Sequence, residues 1–380
     1  MQIRDLQEDD NMKVCILSMQ HVPNFGSVLQ AYALKKMLEQ CGHTVSFLDI
    51  ERREEDDQYR DGKWLWFEEN RRGLLVKLKR LDRYTLNRLR VKALSQKQHS
   101  LYDDFRHEML QMCKSANGDN FDCCVIGSDE VFNCMSESFW GFTSQLFGNV
   151  PQADRVITYA ASCGATTYED LPAAVAEKIS ESFQKVSAFS VRDENTKRFV
   201  AKLTEQTVLE HCDPAVVGNF DQEVAAAVLP EDLPKKYCVV YSYYNRISTP
   251  SEIKAIKSFC KKHGLEIIAL GSPQMWIKKF LPLKPFECLK VFQNAEFVIT
   301  DTFHGTIFSA KYAKRFATMT RPSNENKLKD LITRLHIEKH WVQSLEQLEE
   351  TYQFMHDLEG TKVFIGQEHS RTMQYLTDNI

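Results

Sequence analysis

No stretch of these 380 residues approaches the ~20 consecutive apolar positions that span a bilayer; runs such as Phe297-Val298-Ile299 are strand-sized. The opening segment, Met1-Gln2-Ile3-Arg4-Asp5-Leu6, is polar and lacks the apolar region of a secretion signal. No C-x-x-C pair occurs among the eleven cysteines, and none lies beyond Cys288. Cys123 and Cys124 are adjacent rather than spaced for one metal, which argues against a zinc or iron–sulfur site. Dispersed thiols with apolar neighbours read as reduced core residues of a cytoplasmic protein. Positive charge is not in excess either: 48 Lys and Arg stand against 52 Asp and Glu, a net charge of −4. That disfavours nucleic-acid binding driven by overall basicity. Repeats and low-complexity tracts are missing as well. Collagenous, disordered, transmembrane and disulfide-scaffold classes are thereby excluded.

What is present is ordinary for a globular chain: 43% hydrophobic and 26% charged residues. At about 150 residues per domain, the length suggests two or three domains. Residues 1–11 read as a disordered lead. Lys13-Val14-Cys15-Ile16-Leu17 is a short apolar strand, and 27–41 has helical periodicity through Leu29, Tyr32, Ala33, Met37 and Leu38. Gly42 then stands where a helix C-cap glycine belongs. A second strand follows at 45–50, so the unit predicts a parallel sheet with a right-handed crossover. Strands are expected again at 121–127, 155–161, 188–192 and 207–209, with helices at 173–184 and 193–202. Asp213-Pro214 halts the pattern. The second half repeats it, with strands at 237–243, 265–270 and 296–301 and helices at 251–263 and 285–293. Ser344-Leu345-Glu346-Gln347 offers a capping box for a late helix, and 368–377 another. The reading is α/β: two Rossmann-like domains, 12–217 and 218–343, facing across a cleft, followed by C-terminal helices over 344–380.

The segment 51–100 breaks the alternation. From 71 to 97 it carries ten Lys or Arg against a single acid, Asp82, with Leu74, Leu75, Leu78, Leu81, Leu86 and Leu89 at roughly helical spacing. It reads as an inserted helical element with a basic face, either solvated or resting on an anionic surface.

Open parallel sheets bind ligands beyond the carboxyl ends of their strands. Five groups sit there. Asn24, Gly26 and Ser27 follow the first strand and open a helix, suiting a tight loop that approaches a ligand or an ordinary strand–helix turn. One glycine and no lysine make it neither a Walker nor a dinucleotide fingerprint. Gly127-Ser128-Asp129-Glu130 follows a buried strand, and Asp129 either caps a helix or serves sugar hydroxyls and protons. Arg192 ends another strand, suited to fork onto a phosphate or carboxylate or to pair with a nearby acid. Asp213 reads as a turn cap. Last, Thr300-Asp301-Thr302-Phe303-His304-Gly305-Thr306 runs from a strand through a His-Gly turn into a helix. There His304, beside Asp301, has the Gly305 and Thr306 N–H groups aimed at an anion.

Taken in order, these segments resemble the polysaccharide pyruvyl transferase family. The carrying motifs are Asn24-Phe25-Gly26-Ser27-Val28-Leu29-Gln30-Ala31-Tyr32, Gly127-Ser128-Asp129-Glu130-Val131-Phe132-Asn133 and Tyr159-Ala160-Ala161-Ser162-Cys163-Gly164. Ser190-Val191-Arg192-Asp193-Glu194, Asp213-Pro214 and Asp301-Thr302-Phe303-His304-Gly305 complete the set. The resemblance spans about 13–315 and is weakest over 51–100 and after Trp341. It implies a GT-B-like fold and transfer of pyruvate from phosphoenolpyruvate onto a sugar of a surface polysaccharide or capsule precursor, as a ketal. By that resemblance Arg192 and His304 face the donor. Arg192 takes its carboxylate or phosphate, the Gly305–Thr306 N–H pair takes remaining oxygens, and protonated His304 is the acid or a phosphate contact. Asp129 and Asp301 are bases or hydroxyl binders, and Asn24, Gly26 and Ser27 shape the acceptor side. The scheme needs no metal and no cofactor beyond the donor. Thr302 stands where some members carry an arginine, leaving Lys278, Lys279, Arg246, Arg321 or Lys327 to supply that charge. The acceptor glycan is one built on a lipid diphosphate or another carrier, and the basic 71–97 stretch would give peripheral contact with the inner face of the membrane. The alternatives are a GT-B-fold glycosyltransferase using a nucleotide sugar and a non-catalytic member of the family; the donor bound discriminates them.

Overall fold

The computed structural model describes residues 11–51, 53–59, 83–112, 118–135 and 141–380. The expected lead, save Asn11, and the 60–82 portion of the basic segment lie outside the described residues.

Two six-stranded sheets carry the fold. The first comprises β1 (Lys13–Leu17), β2 (Thr44–Phe47), β3 (Phe121–Ile126), β4 (Ala153–Thr158), β5 (Val186–Val191) and β6 (Val208–Glu210). The second comprises β7 (Tyr237–Ser242), β8 (Glu266–Gly271), β9 (Lys279–Phe280), β10 (Phe297–Thr300), β11 (Phe316–Met319) and β12 (Trp341–Val342). Their orders are β2-β1-β3-β4-β5-β6 and β12-β11-β10-β7-β8-β9. Every pairing is parallel. Parallel strands are covered on both faces, which is why β1 and β7 read as unbroken apolar runs. The strand order reverses between β1 and β3 in one sheet and between β7 and β10 in the other. Those two switch points are where such sheets receive ligands. The expected pair of Rossmann-like domains in a GT-B-like arrangement is thus present. Its short outer strands β9 and β12 are two residues each and leave no periodic signal in the sequence.

The helix Phe25–Gln40 lies between the halves and packs against both. Asn24 caps it by accepting the Ser27 N–H at 2.8 Å. Nearly its whole circumference is buried, because the first sheet lies on one side and second-domain helices lie on the other. Phe25 sits 6.2 Å from the Tyr241 ring of β7 and edge-on to Tyr102 at 5.0 Å. Tyr102 belongs to the helix Arg83–Glu108, which takes in the last part of the inserted element. Gln98 of that helix exchanges two hydrogen bonds with the Leu283 backbone, and Arg106 donates to the Gln20 carbonyl, so the insertion straps both domains. A single cluster of buried side chains accordingly runs from Val14 and Ile16 through Phe25 and Tyr102 to Val239 and Phe308.

The C-terminal helix, Leu358–Asn379, is longer than the expected 368–377, and it returns to the first domain. Tyr375 donates to the Thr158 carbonyl at 2.8 Å, and the hydroxyls of Tyr159 and Thr372 meet at 2.9 Å. No described helix is long and apolar enough to cross a membrane.

Candidate active site

The carboxyl ends of β3, β5, β6 and β10 bring four sequence-distant segments to one buried point, and Asp213 is at its centre. Three residues after β6, it caps the one-turn helix Pro214–Val217, its Oδ1 accepting the Ala215 N–H at 2.9 Å. Its Oδ2 accepts from Arg192 Nη1 and from Ser128 Oγ, both at 2.8 Å. His304 Nε2 stands 3.7 Å from Oδ1 and has no hydrogen-bond partner, although it is buried. Burial by itself would raise the Asp213 carboxyl; His304 and then Arg192 outweigh it and hold it well below the usual range.

Arg192, at the end of β5, is buried among acids. Besides Asp213, it has Asp129 Oδ1 at 3.6 Å from Nη1 and Asp193 Oδ2 at 3.9 Å from Nε. Its guanidinium carbon lies 4.3 Å from the centre of the Phe303 ring. Burial opposes its charge, but Asp213 and Asp129 more than compensate and raise its pKa.

Asp129 adopts φ 72°, a left-handed conformation costly for a residue with a Cβ and concentrated at functional positions. Its Oδ2 accepts from Ser27 Oγ at 2.9 Å. Next to it, Glu130 pairs with Lys327 of the second domain and accepts from Asn133 Nδ2 at 2.7 Å. Against the opposing effect of burial, Lys327 brings the Glu130 carboxyl down to about 2. Gly26 lies flat against the His304 imidazole: a Cβ there would fall within the ring's own contact radius. Only glycine lets the helix Phe25–Gln40 approach so closely.

Of the residues singled out from sequence, Gly26, Ser27, Asp129, Arg192 and His304 therefore share one site. Others do not behave as expected. The Gly305 and Thr306 N–H groups are not free for an anion: Thr302 Oγ1 accepts the first and the Thr302 carbonyl the second, both at 3.0 Å, because Thr302 is the helix N-cap. Asn24 spends its side-chain oxygen on the cap at Ser27. Asp301 does not join His304; it accepts from Ser242 Oγ at 2.7 Å and from Arg321 Nε at 3.0 Å, with Arg246 Nε at 3.6 Å. Asp213 takes the place beside the histidine instead. It stood at a strand's carboxyl edge like the others, and that position was the signal for it; the adjoining proline made it read as a mere cap. The Glu130–Lys327 pair joins residues 197 positions apart and left no trace in the sequence. Of the five cations weighed against Thr302, Arg246, Arg321 and Lys327 line this cleft, whereas Lys279 pairs with Asp232 elsewhere. Among the described residues, no three His, Cys, Asp or Glu side chains are grouped to hold a metal ion.

A two-domain parallel α/β chain with His, Arg and Asp converging between its sheets fits a group-transfer enzyme. The family description "Polysaccharide pyruvyl transferase" matches residues 24–323, most of the chain, and the protein belongs to that family. Family membership makes it a pyruvyltransferase acting on polysaccharide. No curated protein matches the sequence. Several solved structures are similar in chain path. The Methanocaldococcus jannaschii UDP-GlcNAc 2-epimerase in complex with UDP-GlcNAc and UDP shares 12% identity, covering 96% of this chain and 99% of its own, with a TM-score of 0.47. The S. aureus MnaA–UDP co-structure shares 11% over 97% of each chain, with a TM-score of 0.46. The glycosyltransferase SnogD from Streptomyces nogalater shares 12% over 97% of this chain and 98% of its own, with a TM-score of 0.44.

Proposed function

We propose that the chain transfers pyruvate from phosphoenolpyruvate onto two hydroxyls of a glycan acceptor, forming a ketal. The observation carrying this reading is the convergence of the family's separate motifs, Gly26-Ser27, Asp129, Arg192, Asp213 and His304, on one buried point between the sheets. Phosphoenolpyruvate presents a carboxylate and a phosphate. Arg192, flanked by Asp129 and Asp213, is the cation that meets the donor's anionic oxygens. His304 gives a proton to the donor's methylene carbon, which becomes a methyl group, and C2 turns cation-like. An acceptor hydroxyl adds to C2, passing its proton to Asp129. The C2–O bond to phosphate breaks. A second hydroxyl closes the ring, and its proton leaves with the phosphate. Asp213, with its Oδ1 3.7 Å from His304 Nε2, positions the imidazole.

Asp301 is then a residue of the cleft wall that binds hydroxyl groups through its two arginines rather than a base. The acceptor is a glycan on a lipid diphosphate or another carrier, and the basic stretch 71–97 serves that anionic carrier or the membrane surface. Exchange of Arg83, Arg88 and Arg90 for Glu would abolish co-sedimentation with anionic vesicles.

The test of the donor needs no acceptor. Thermal unfolding is followed with phosphoenolpyruvate on the wild type and on Arg192→Ala. A ligand of the folded state adds ~2.7 kcal/mol at a hundredfold excess over its dissociation constant. The wild type should shift upward and the variant should not. A shift with nucleotide sugars alone overturns the reading.

A further inference from the structure

A buried ammonium bonded to no carboxylate is costly, and in a cavity beside it an anion gains what the ammonium lacks. Lys311 is such a group. Its three N–H donors go to the carbonyls of Ala215, Val216 and Gly218, where the chain passes from one domain to the other. Burial pulls its pKa down to about 7, and Asp221 and Asp213 offset that only in part. Lys311 lines a cavity of about 340 Å³, within the range of roughly 300–1,000 Å³ typical of small-molecule sites. Three segments wall it: residues 217–221 between the domains, the last turn of the helix Phe303–Tyr312, and the C-terminal helix. Val217, Phe220, Tyr312 and Ile365 make its apolar part, and the Lys311 ammonium is 4.7 Å from the centre of the Phe220 ring. His369 donates from Nδ1 to the Val217 carbonyl at 3.2 Å, which leaves Nε2 for a ligand. Asp221 is the single acid of the wall, against Lys311 and Lys362.

Gly366 is an independent sign of use. It lies inside the helix Leu358–Asn379, where glycine is the poorest residue short of proline. A Cβ there would nevertheless meet nothing within 4 Å. No contact within the chain calls for the missing side chain, and its absence leaves the wall of the cavity open at that point.

We propose that this cavity binds a small organic carboxylate with an apolar, ring-sized body. The carboxylate lies toward Lys311 and His369, and the body packs on Phe220 and Ile365. The site is distinct from the catalytic one, since Lys311 follows His304 by roughly 10 Å along one helix. It stands whichever donor the active site takes.

The test is isothermal titration calorimetry of the full-length protein with naphthoate, its neutral amide naphthamide, and inorganic phosphate. It is run at about pH 6, where Lys311 is charged. The wild type should bind one naphthoate, the amide about tenfold more weakly, and phosphate without measurable heat. Gly366→Trp, which fills the open wall from the outer helix, and Lys311→Met, which removes the charge at similar length, should each weaken naphthoate about tenfold. If Lys311→Met does not fold, Gly366→Trp decides alone, with its unfolding midpoint showing that the helix is intact. A wild type that binds no naphthoate overturns the site, as does undiminished binding by Gly366→Trp. An amide or a phosphate bound as tightly as naphthoate overturns the ligand class.

Discussion

At the scale of single residues, the closest contact in the site is made by an absent side chain. Gly26→Ala places a methyl group against the His304 ring, with the helix backbone on one side and the Phe303–Tyr312 helix on the other. Overpacking of this kind costs about 1–3 kcal/mol, to be read as a lower urea midpoint at unchanged slope. An unchanged midpoint would mean that the two domains do not close on each other in solution. Glu130 provides a pH signature. Its carboxyl is at about 2 in the folded chain against an ordinary 4.5, so its contribution is complete above pH 4.5 and disappears as pH falls toward 2. Glu130→Gln should flatten the acid limb of the stability curve in that window and leave the neutral region's slope unaltered. His304, Arg192 and Asp129 were legible as candidates because each follows an apolar strand at a point where short polar residues interrupt the pattern. Their partners were not. Whether Arg192 meets a ligand or an aspartate depends on Asp213, brought alongside by a β-strand pairing that no local pattern records.

At the scale of elements, the helix Phe303–Tyr312 links the site to the linker between domains through both of its ends. Its first turn carries His304 to Asp213, and its last turn carries Lys311 to the carbonyls of Ala215, Val216 and Gly218, at 2.9, 2.8 and 2.6 Å. Removal from water brings Lys311 from 10.5 to about 7. Between those values the unfolded chain binds the proton more tightly, so folding with Lys311 gains stability as pH rises from 7 and the burial cost is constant below it. The stability difference between wild type and Lys311→Met should therefore climb in favour of the wild type from pH 7 to 9, by up to about 1.4 kcal/mol per pH unit. A difference independent of pH would show that the ammonium is fully charged throughout. The helix expected over 251–263 is present with caps at both ends. Thr249 and Glu252 form a capping box on the helix Pro250–His263, and Gly264 closes it in the left-handed conformation. The short helices Pro214–Val217 and Asp221–Ala226 left no signal in the sequence, because four to six residues hold too little periodicity to register.

At the scale of the whole molecule, ion pairs join the two lips of the cleft. Glu130 belongs to the first domain and Lys327 to the second, and Arg334 reaches Glu210 in the same direction at 3.1 Å. Lys327→Glu sets two carboxylates against each other and should open the domains, raising the radius of gyration in small-angle scattering. Glu130→Lys combined with Lys327→Glu should restore it; a double variant as open as the single one would remove the pair from this role. The order of apolar strands and amphipathic helices, and with it two parallel α/β domains, followed from the sequence alone, because hydrophobic periodicity is a local property of the chain. So did the strand-end polar residues, since a buried strand must end where polar groups regain partners. The tertiary structure alone decided that Asp213 rather than Asp301 meets His304 and that the C-terminal helix returns to the first domain, whereas the Thr302 cap that consumes the N–H groups expected for an anion is local. The first two outcomes depend on packing between distant parts of the chain, 217 residues apart in the case of Tyr375 and Thr158, and such contacts are set by burial and charge neutralisation in three dimensions, not by neighbours along the chain.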